Sequence, residues 1–229
     1  MPYPDRFYPV VDTLAWVKRL AALGVGTVQL RAKDLDPAAA LTLVRDALAA
    51  TSGTVTKLVV NDYWRAAIEA KAQHLHLGQE DLAEADVKAI RAAGLTLGLS
   101  THDDAELETA LRHAPDYVAL GPIYPTTLKS MRFAPQGVPK IGVWKQRVGN
   151  IPLVAIGGIK FEQAGPIFAA GADSIAVVSD VTQNADPDAR VRAWLSLPHP
   201  EERPLGRVSK DEEHEPHGSR RAASQRSSQ

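Results

Sequence analysis

Eight apolar strand-like runs, each followed by a helical pattern, predict an α/β chain closed into a (β/α)8 barrel. Eight βα units are the number that closes a barrel. An open doubly wound sheet would carry a glycine-rich dinucleotide fingerprint after its first strand, and none follows here. With 229 residues and 45% hydrophobic content the chain can fill one such barrel.

The runs span residues 7–11, 27–31, 57–61, 74–78, 95–100, 117–121, 153–157 and 174–179. Between them, Leu107, Ala110 and Leu111 recur at i, i+3 and i+4, as do Trp64, Ala67 and Ile68. Gly24, Gly94 and Gly171 stand where helices must stop before the next strand. Trp16, Trp64, Trp144 and Trp194 fall in helical stretches and are expected to serve core or interface packing. From His199 onward the composition changes to three prolines, six acids, six bases and a Ser/Arg/Gln-rich end. Only Leu205, Val208, Ala222 and Ala223 offer apolar surface there, too little to offset the entropy of ordering. The barrel is therefore assigned to residues 1–197, and 198–229 to a polar, disordered tail.

The formal charge of −1 gives no global attraction to nucleic acid or to an anionic membrane, so any cationic site is local. The chain has no cysteine, which excludes thiol catalysis, disulfides and thiolate metal sites. The start, Met1-Pro2-Tyr3-Pro4-Asp5-Arg6, has no apolar run behind a basic segment, and no stretch reaches membrane-spanning length. The expectation is a soluble, cytoplasmic protein acting on small molecules, without a nucleic-acid or membrane partner and with homo-oligomerisation left open.

Catalytic groups of such barrels lie at the carboxyl ends of the strands. Read in order, those ends carry Gln29, Arg31 and Lys33; Asn61 and Asp62; Asp81; Ser100; the stretch from Gly121 to Ser130; Gly157-Gly158; and Val178-Ser179. Asp62 and Asp81 are two oxygen donors at neighbouring strand ends, with no base immediately beside them in sequence. Mg²⁺ favours such donors and leaves its other positions to water and phosphate. Arg31 and Lys33 supply cations for a phosphorylated ligand. Gly157-Gly158 and Val178-Ser179 occupy the loops after strands seven and eight, where barrels often bind phosphate through backbone N–H groups.

Each feature also has a plainer explanation. Asp62 and Asp81 are suitable helix N-caps, Arg31 and Lys33 suit a solvated loop, and Gly157-Gly158 suits a tight turn. Six strand ends offering compatible groups to one charged ligand favour the functional reading. His74 and His76 share one strand face, but without a third ligand a hydrogen-bonded role outweighs a zinc site. Ser100 and His102 resemble a nucleophile–base pair without the glycine-flanked serine elbow.

The chain resembles the thiamine-phosphate synthase family from about Tyr8 to Thr182. The likeness is carried in order by Tyr8-Pro9-Val10-Val11-Asp12, the segment 29–34, Asn61-Asp62-Tyr63-Trp64-Arg65, and the segment 76–82. Gly98-Leu99-Ser100-Thr101-His102, the segments 119–129 and 155–159, and Ser174-Ile175-Ala176-Val177-Val178-Ser179 complete it. The resemblance implies a TIM barrel and a transferase of thiamine biosynthesis. Such an enzyme joins 4-amino-5-hydroxymethyl-2-methylpyrimidine diphosphate to 4-methyl-5-(2-phosphoethyl)thiazole by Mg²⁺-assisted dissociative substitution. It assigns Gln29, Arg31, Lys33, Asn61, Ser100 and Lys129 to the pyrimidine diphosphate, with Arg31, Lys33, Ser100 and Lys129 serving the reaction. Asp62 and Asp81 are implied to bind Mg²⁺. Thr126, Thr127, Leu128, Gly157, Gly158, Val178 and Ser179 are implied to bind the thiazole phosphate. Leu128 departs from the family, whose members often carry a hydroxyl residue there. Two rival functions are a thiazole tautomerase-like barrel, which needs no complete diphosphate set, and a non-catalytic phosphometabolite-binding barrel.

Overall fold

The computed structural model describes residues 3–126 and 133–197. Its strands are β1 (Phe7–Val11), β2 (Thr27–Leu30), β3 (Lys57–Asn61), β4 (His74–Leu77), β5 (Thr96–Thr101), β6 (Tyr117–Leu120), β7 (Leu153–Ile156) and β8 (Ser174–Val177). Each pairs in parallel with the next, and β8 pairs with β1, so the sheet is a closed barrel. All eight expected strands are present. The fifth lies one residue later than expected, and five others stop one or two residues early, where the chain lifts away from the ladder into the loops of the site. Arg31 is one such residue, although its N–H still donates to the Val11 carbonyl at 2.7 Å.

The helices α1 (Leu14–Ala22), α2 (Pro37–Thr51), α3 (Trp64–Glu69), α4 (Gln79–Glu84), α5 (Val87–Ala92), α6 (Asp104–Arg112), α7 (Gly137–Val148), α8 (Ala164–Ala169), α9 (Ser179–Thr182) and α10 (Pro187–Leu195) follow the strands. Their starts are written locally. Asp36 accepts from the N–H groups of Ala38 and Ala39 with Pro37 opening α2, and Asp103 accepts from the Glu106 N–H. Gly24, at φ +78°, and Gly94, at φ +79°, take the left-handed conformation that ends a helix.

Strand alternation sorts side chains between two environments. Val28, Leu30, Leu58, Leu75, Leu97, Leu99, Val118 and Ile175 face the helices and form the larger hydrophobic layers. Tyr8, Val10, Val59, Tyr117, Ala119, Val154 and Ala176 pack together inside the barrel. Trp144 and Trp194 are buried in the outer layer, as expected, and each indole N–H has a partner: Thr101 Oγ1 at 3.0 Å and Asp180 Oδ2 at 2.8 Å. Truncating indoles buried this fully costs about 3–5 kcal/mol. Among the described residues no helix is long and apolar enough to cross a membrane. The expected tail at 198–229 lies outside the described residues, as do Thr127, Leu128 and Lys129.

Candidate active site

The carboxyl ends of the strands surround a cleft with two lobes. One, of about 410 Å³, is lined by Lys33, Asp62, Gly78, Gln79, Glu80 and Asp81 among others. The second, of about 540 Å³, is lined by Thr126, Gly157, Gly158, Val178 and Ser179, together with Asp12, Trp16, Thr182 and Gln183. Arg31, Asn61, His76, Ser100 and His102 border both and form the wall between them. Every described residue assigned from sequence thus lies on one connected cleft.

In the charged lobe Asp62 follows β3 with φ +62°, a conformation that non-glycine residues seldom adopt and that aspartate tolerates better than most. Its N–H donates to the His76 carbonyl at 3.0 Å, which ties the β3 end to β4. The N-cap of α3 is Tyr63 and that of α4 is Gly78, so neither Asp62 nor Asp81 fills the capping role. Asp81 sits in the first turn of α4. Burial pushes its carboxyl up to about 6, helped by the Asp62 charge and by a hydrogen bond between the two carboxyl groups. No base adjoins the acids in sequence, but one stands beside Asp62 in space. Lys33 Nζ lies 3.0 Å from Asp62 Oδ2, because the turn after β2 carries it across to the β3 end. Lys33 is half exposed, so this pair contributes little to stability by itself.

Two carboxylates are few for a dedicated metal cage, and among the described residues no group of three or more His, Cys, Asp or Glu is placed to hold an ion. The donor set fits Mg²⁺, which commonly takes one or two carboxylates and completes its shell with water and substrate phosphate. His74 and His76 do not converge on a metal. His74 Nδ1 pairs with Thr96 Oγ1 at 2.7 Å, and Tyr3 stacks on its ring.

The wall is polar and buried. Asn61 has a buried side-chain nitrogen with no protein partner, a donor open to a ligand. His76 is buried, with Nδ1 2.9 Å from the Tyr117 hydroxyl and Nε2 2.8 Å from Ser100 Oγ. Burial lowers its pKa to about 4, so the ring is neutral near pH 7. The partner of Ser100 is therefore His76. His102 instead bonds Glu106 through Nδ1 at 2.6 Å and stacks on Phe133.

The second lobe is shaped by backbone. Gly157 and Gly158 have φ +99° and +66°. A Cβ on Gly157 would lie 2.6 Å from Pro122 Cα, and one on Gly158 would lie 2.4 Å from the Pro125 carbonyl oxygen. No other residue fits there. The short helix α9 begins at Ser179, and the first N–H groups of a helix have no partner within it, which suits an anion.

Sequence reasoning missed Asp12, Trp16, Thr182 and Gln183 on the lobe wall. Trp16 is half-buried and packs against the core as expected, and it also lines the cavity, which the sequence did not show. Tyr8 and Tyr117 also went unassigned. The two-residue period that aligns Gln29 with Arg31 would have found Tyr8 and Tyr117 on the same interior face.

A model of the thiamine monophosphate synthase family matches residues 7–181. The chain is 56% identical over 196 residues to a thiamine-phosphate synthase of Rhizobium etli, covering 86% of this chain and 96% of the relative. It is 48% identical over 194 residues to one of Neisseria meningitidis, covering 85% and 95%. A thiamine phosphate pyrophosphorylase from Pyrococcus furiosus superposes with a TM-score of 0.71 at 23% identity, covering 83% and 93% of the two chains; at that identity the likeness concerns the fold. The chain belongs to the thiamine monophosphate synthase family.

Proposed function

We propose that this cleft joins 4-amino-5-hydroxymethyl-2-methylpyrimidine diphosphate to 4-methyl-5-(2-phosphoethyl)thiazole, giving thiamine phosphate and pyrophosphate. What supports the reading is the pair of lobes across one polar wall, which would hold two anionic ligands apart and let their reacting atoms meet beside Ser100, Asn61 and His76. Membership of the family makes the chain a transferase, and the roles below extend that to individual residues.

Gln29, Asn61 and Ser100 hold the pyrimidine, and Arg31, Lys33 and Lys129 hold its diphosphate. Asp62 and Asp81 hold Mg²⁺, which when bound offsets the charge of the leaving diphosphate. Lys33, released from Asp62, donates to the diphosphate. The bond from the methylene carbon to the diphosphate oxygen breaks, and the electron pair leaves with pyrophosphate. The aminopyrimidine ring spreads the resulting positive charge, and the thiazole nitrogen supplies the pair for the new C–N bond. Fixed cations facing the leaving group stabilise the transition state more than the ground state. The thiazole phosphate is held by Thr126, Thr127, the loop at Leu128, Gly157, Gly158, Val178 and Ser179, which sets the nitrogen in place for attack. No protein nucleophile is needed.

The test is an assay with both substrates and Mg²⁺. Thiamine phosphate and pyrophosphate appearing in equal amounts is the expected result. Isomerisation of a thiazole tautomer without coupling would favour a tautomerase, and thiazole-phosphate binding without turnover would favour a non-catalytic barrel.

A further inference from the structure

Inside the barrel, hydrogen bonds form one uninterrupted chain from β2 to the cleft wall. Gln29 Nε2 donates to the Tyr8 hydroxyl at 3.2 Å, Tyr8 and Tyr117 hydroxyls are 2.8 Å apart, and Tyr117 reaches His76 Nδ1 at 2.9 Å. His76 Nε2 then meets Ser100 Oγ at 2.8 Å, and Ser100 borders both lobes. All but Ser100 are buried. The register explains how a tyrosine on β6 reaches a histidine on β4. His76 pairs with Gly98, and Gly98 with Tyr117, so the strand between them presents no side chain at that level. A Cβ on Gly98 would lie 1.9 Å from Tyr117 Cζ.

Each hydroxyl carries one proton, so the chain has two possible directions. If protons run from Ser100 inward, the Tyr8 proton ends facing the Gln29 amide hydrogens, donor against donor in a buried place. If they run outward, every link has one donor and one acceptor: Gln29 to Tyr8, Tyr8 to Tyr117, Tyr117 to Nδ1, Nε2–H to Ser100. The Ser100 proton is then left for the cleft.

We infer that Tyr8, Tyr117 and His76 are positioning residues that fix His76 as its Nε2–H tautomer and so present Ser100 as a hydrogen-bond donor to the pyrimidine diphosphate. This direction also excludes Ser100 as a nucleophile activated by His76, because a protonated Nε2 cannot take its proton. The donor role rests on the proposed placement of the pyrimidine diphosphate; the tautomer rests on Gln29 presenting its amide nitrogen, and not its oxygen, to Tyr8.

Nitrogen-15 NMR of the ligand-free, histidine-labelled enzyme tests the tautomer alone. A protonated Nε2 and a bare Nδ1 on His76 are expected; a protonated Nδ1 overturns the inference. The coupling to Ser100 is tested by a double-mutant cycle in kcat. Tyr117→Phe should lower kcat by about tenfold or less in the native background, with the thiazole-phosphate KM unchanged. In the Ser100→Ala background it should change kcat by less than about twofold, since the chain then has no output. Equal losses in both backgrounds would show Tyr117 to be a packing residue and would sink the positioning role. If Ser100→Ala retains full turnover while the NMR shows Nε2–H, the failure lies in the donor role and in the substrate placement behind it.

Discussion

In the charged lobe the ligand-facing groups are side chains that already engage one another, Lys33 on Asp62 and Asp62 against Asp81. In the glycine lobe they are stretches of backbone whose course is set by barrel closure and by the close approach of Pro122 and Pro125. The first must exchange partners when a ligand enters; the second is shaped beforehand. Once paired with the ligand, that side-chain charge is in place to offset the charge that builds on a leaving group. A rigid cradle is suited to holding a phosphate that does not react. Substitutions in the two lobes should therefore register in different kinetic constants.

The largest effect is expected from the acids. Asp62→Ala and Asp81→Ala should each lower kcat by at least about a hundredfold, with far-UV circular dichroism unchanged. Full activity of the double variant in excess chelator would remove the metal assignment and with it the contrast between the lobes.

Gly158→Ala probes the other side. With φ +66° and a carbonyl oxygen 2.4 Å from the new Cβ, the loop must move. The thiazole-phosphate KM should rise roughly tenfold or more and stability should fall by about 1–3 kcal/mol, while the pyrimidine-diphosphate KM stays put. Steady-state kinetics with each substrate varied in turn, together with thermal unfolding, decide it. A change confined to the pyrimidine constant would reverse the assignment of the lobes.

Leu128→Thr would put a hydroxyl into the stretch proposed to hold the thiazole phosphate. A well-placed charge-assisted hydrogen bond is worth roughly 1.5–3 kcal/mol, so the thiazole-phosphate KM should fall by about tenfold or somewhat less. An unchanged constant would mean that backbone donors and the neighbouring threonines already satisfy the phosphate.

The smallest effect concerns the carboxyl pair without metal. A carboxyl raised to about 6 binds more protons in the folded than in the unfolded chain between about pH 4 and 6. Metal-free stability therefore falls as pH rises through that window, and the penalty persists above it. Asp81→Asn removes the penalty, so in chelator its melting temperature should exceed that of the native protein at pH 8 by about 2 °C or less. The gap should close below about pH 4. No gap at pH 8 would mean that neither burial nor the Asp62 charge penalises the ionised Asp81.

The barrel was legible because each strand is a short apolar run between helix signals, and closure followed from their number. Strand ends were less so, because residues 31, 78, 121 and 157 look like strand continuations in sequence although their chain already turns into the site. The site was legible as a set of strand-end groups, but their pairings were not. Lys33 meets Asp62 across 29 positions of sequence, a distance only the register of β2 on β3 explains. Ser100 took His76 rather than His102 for the same reason: proximity in the chain gave way to proximity across the sheet. Tyr117 escaped notice because its reach depends on a missing side chain, Gly98, on another strand.

Trp16 has an optical consequence. Its indole lies half-buried on the wall of the glycine lobe, whereas Trp144 and Trp194 are sealed in the outer layer with their N–H groups already bonded. Emission from the sealed pair changes on unfolding. Emission from Trp16 responds to the polarity of whatever fills the cavity beside it. On the proposed assignment, thiazole phosphate alone should shift that emission in a non-turning-over protein, with no coupled product to detect.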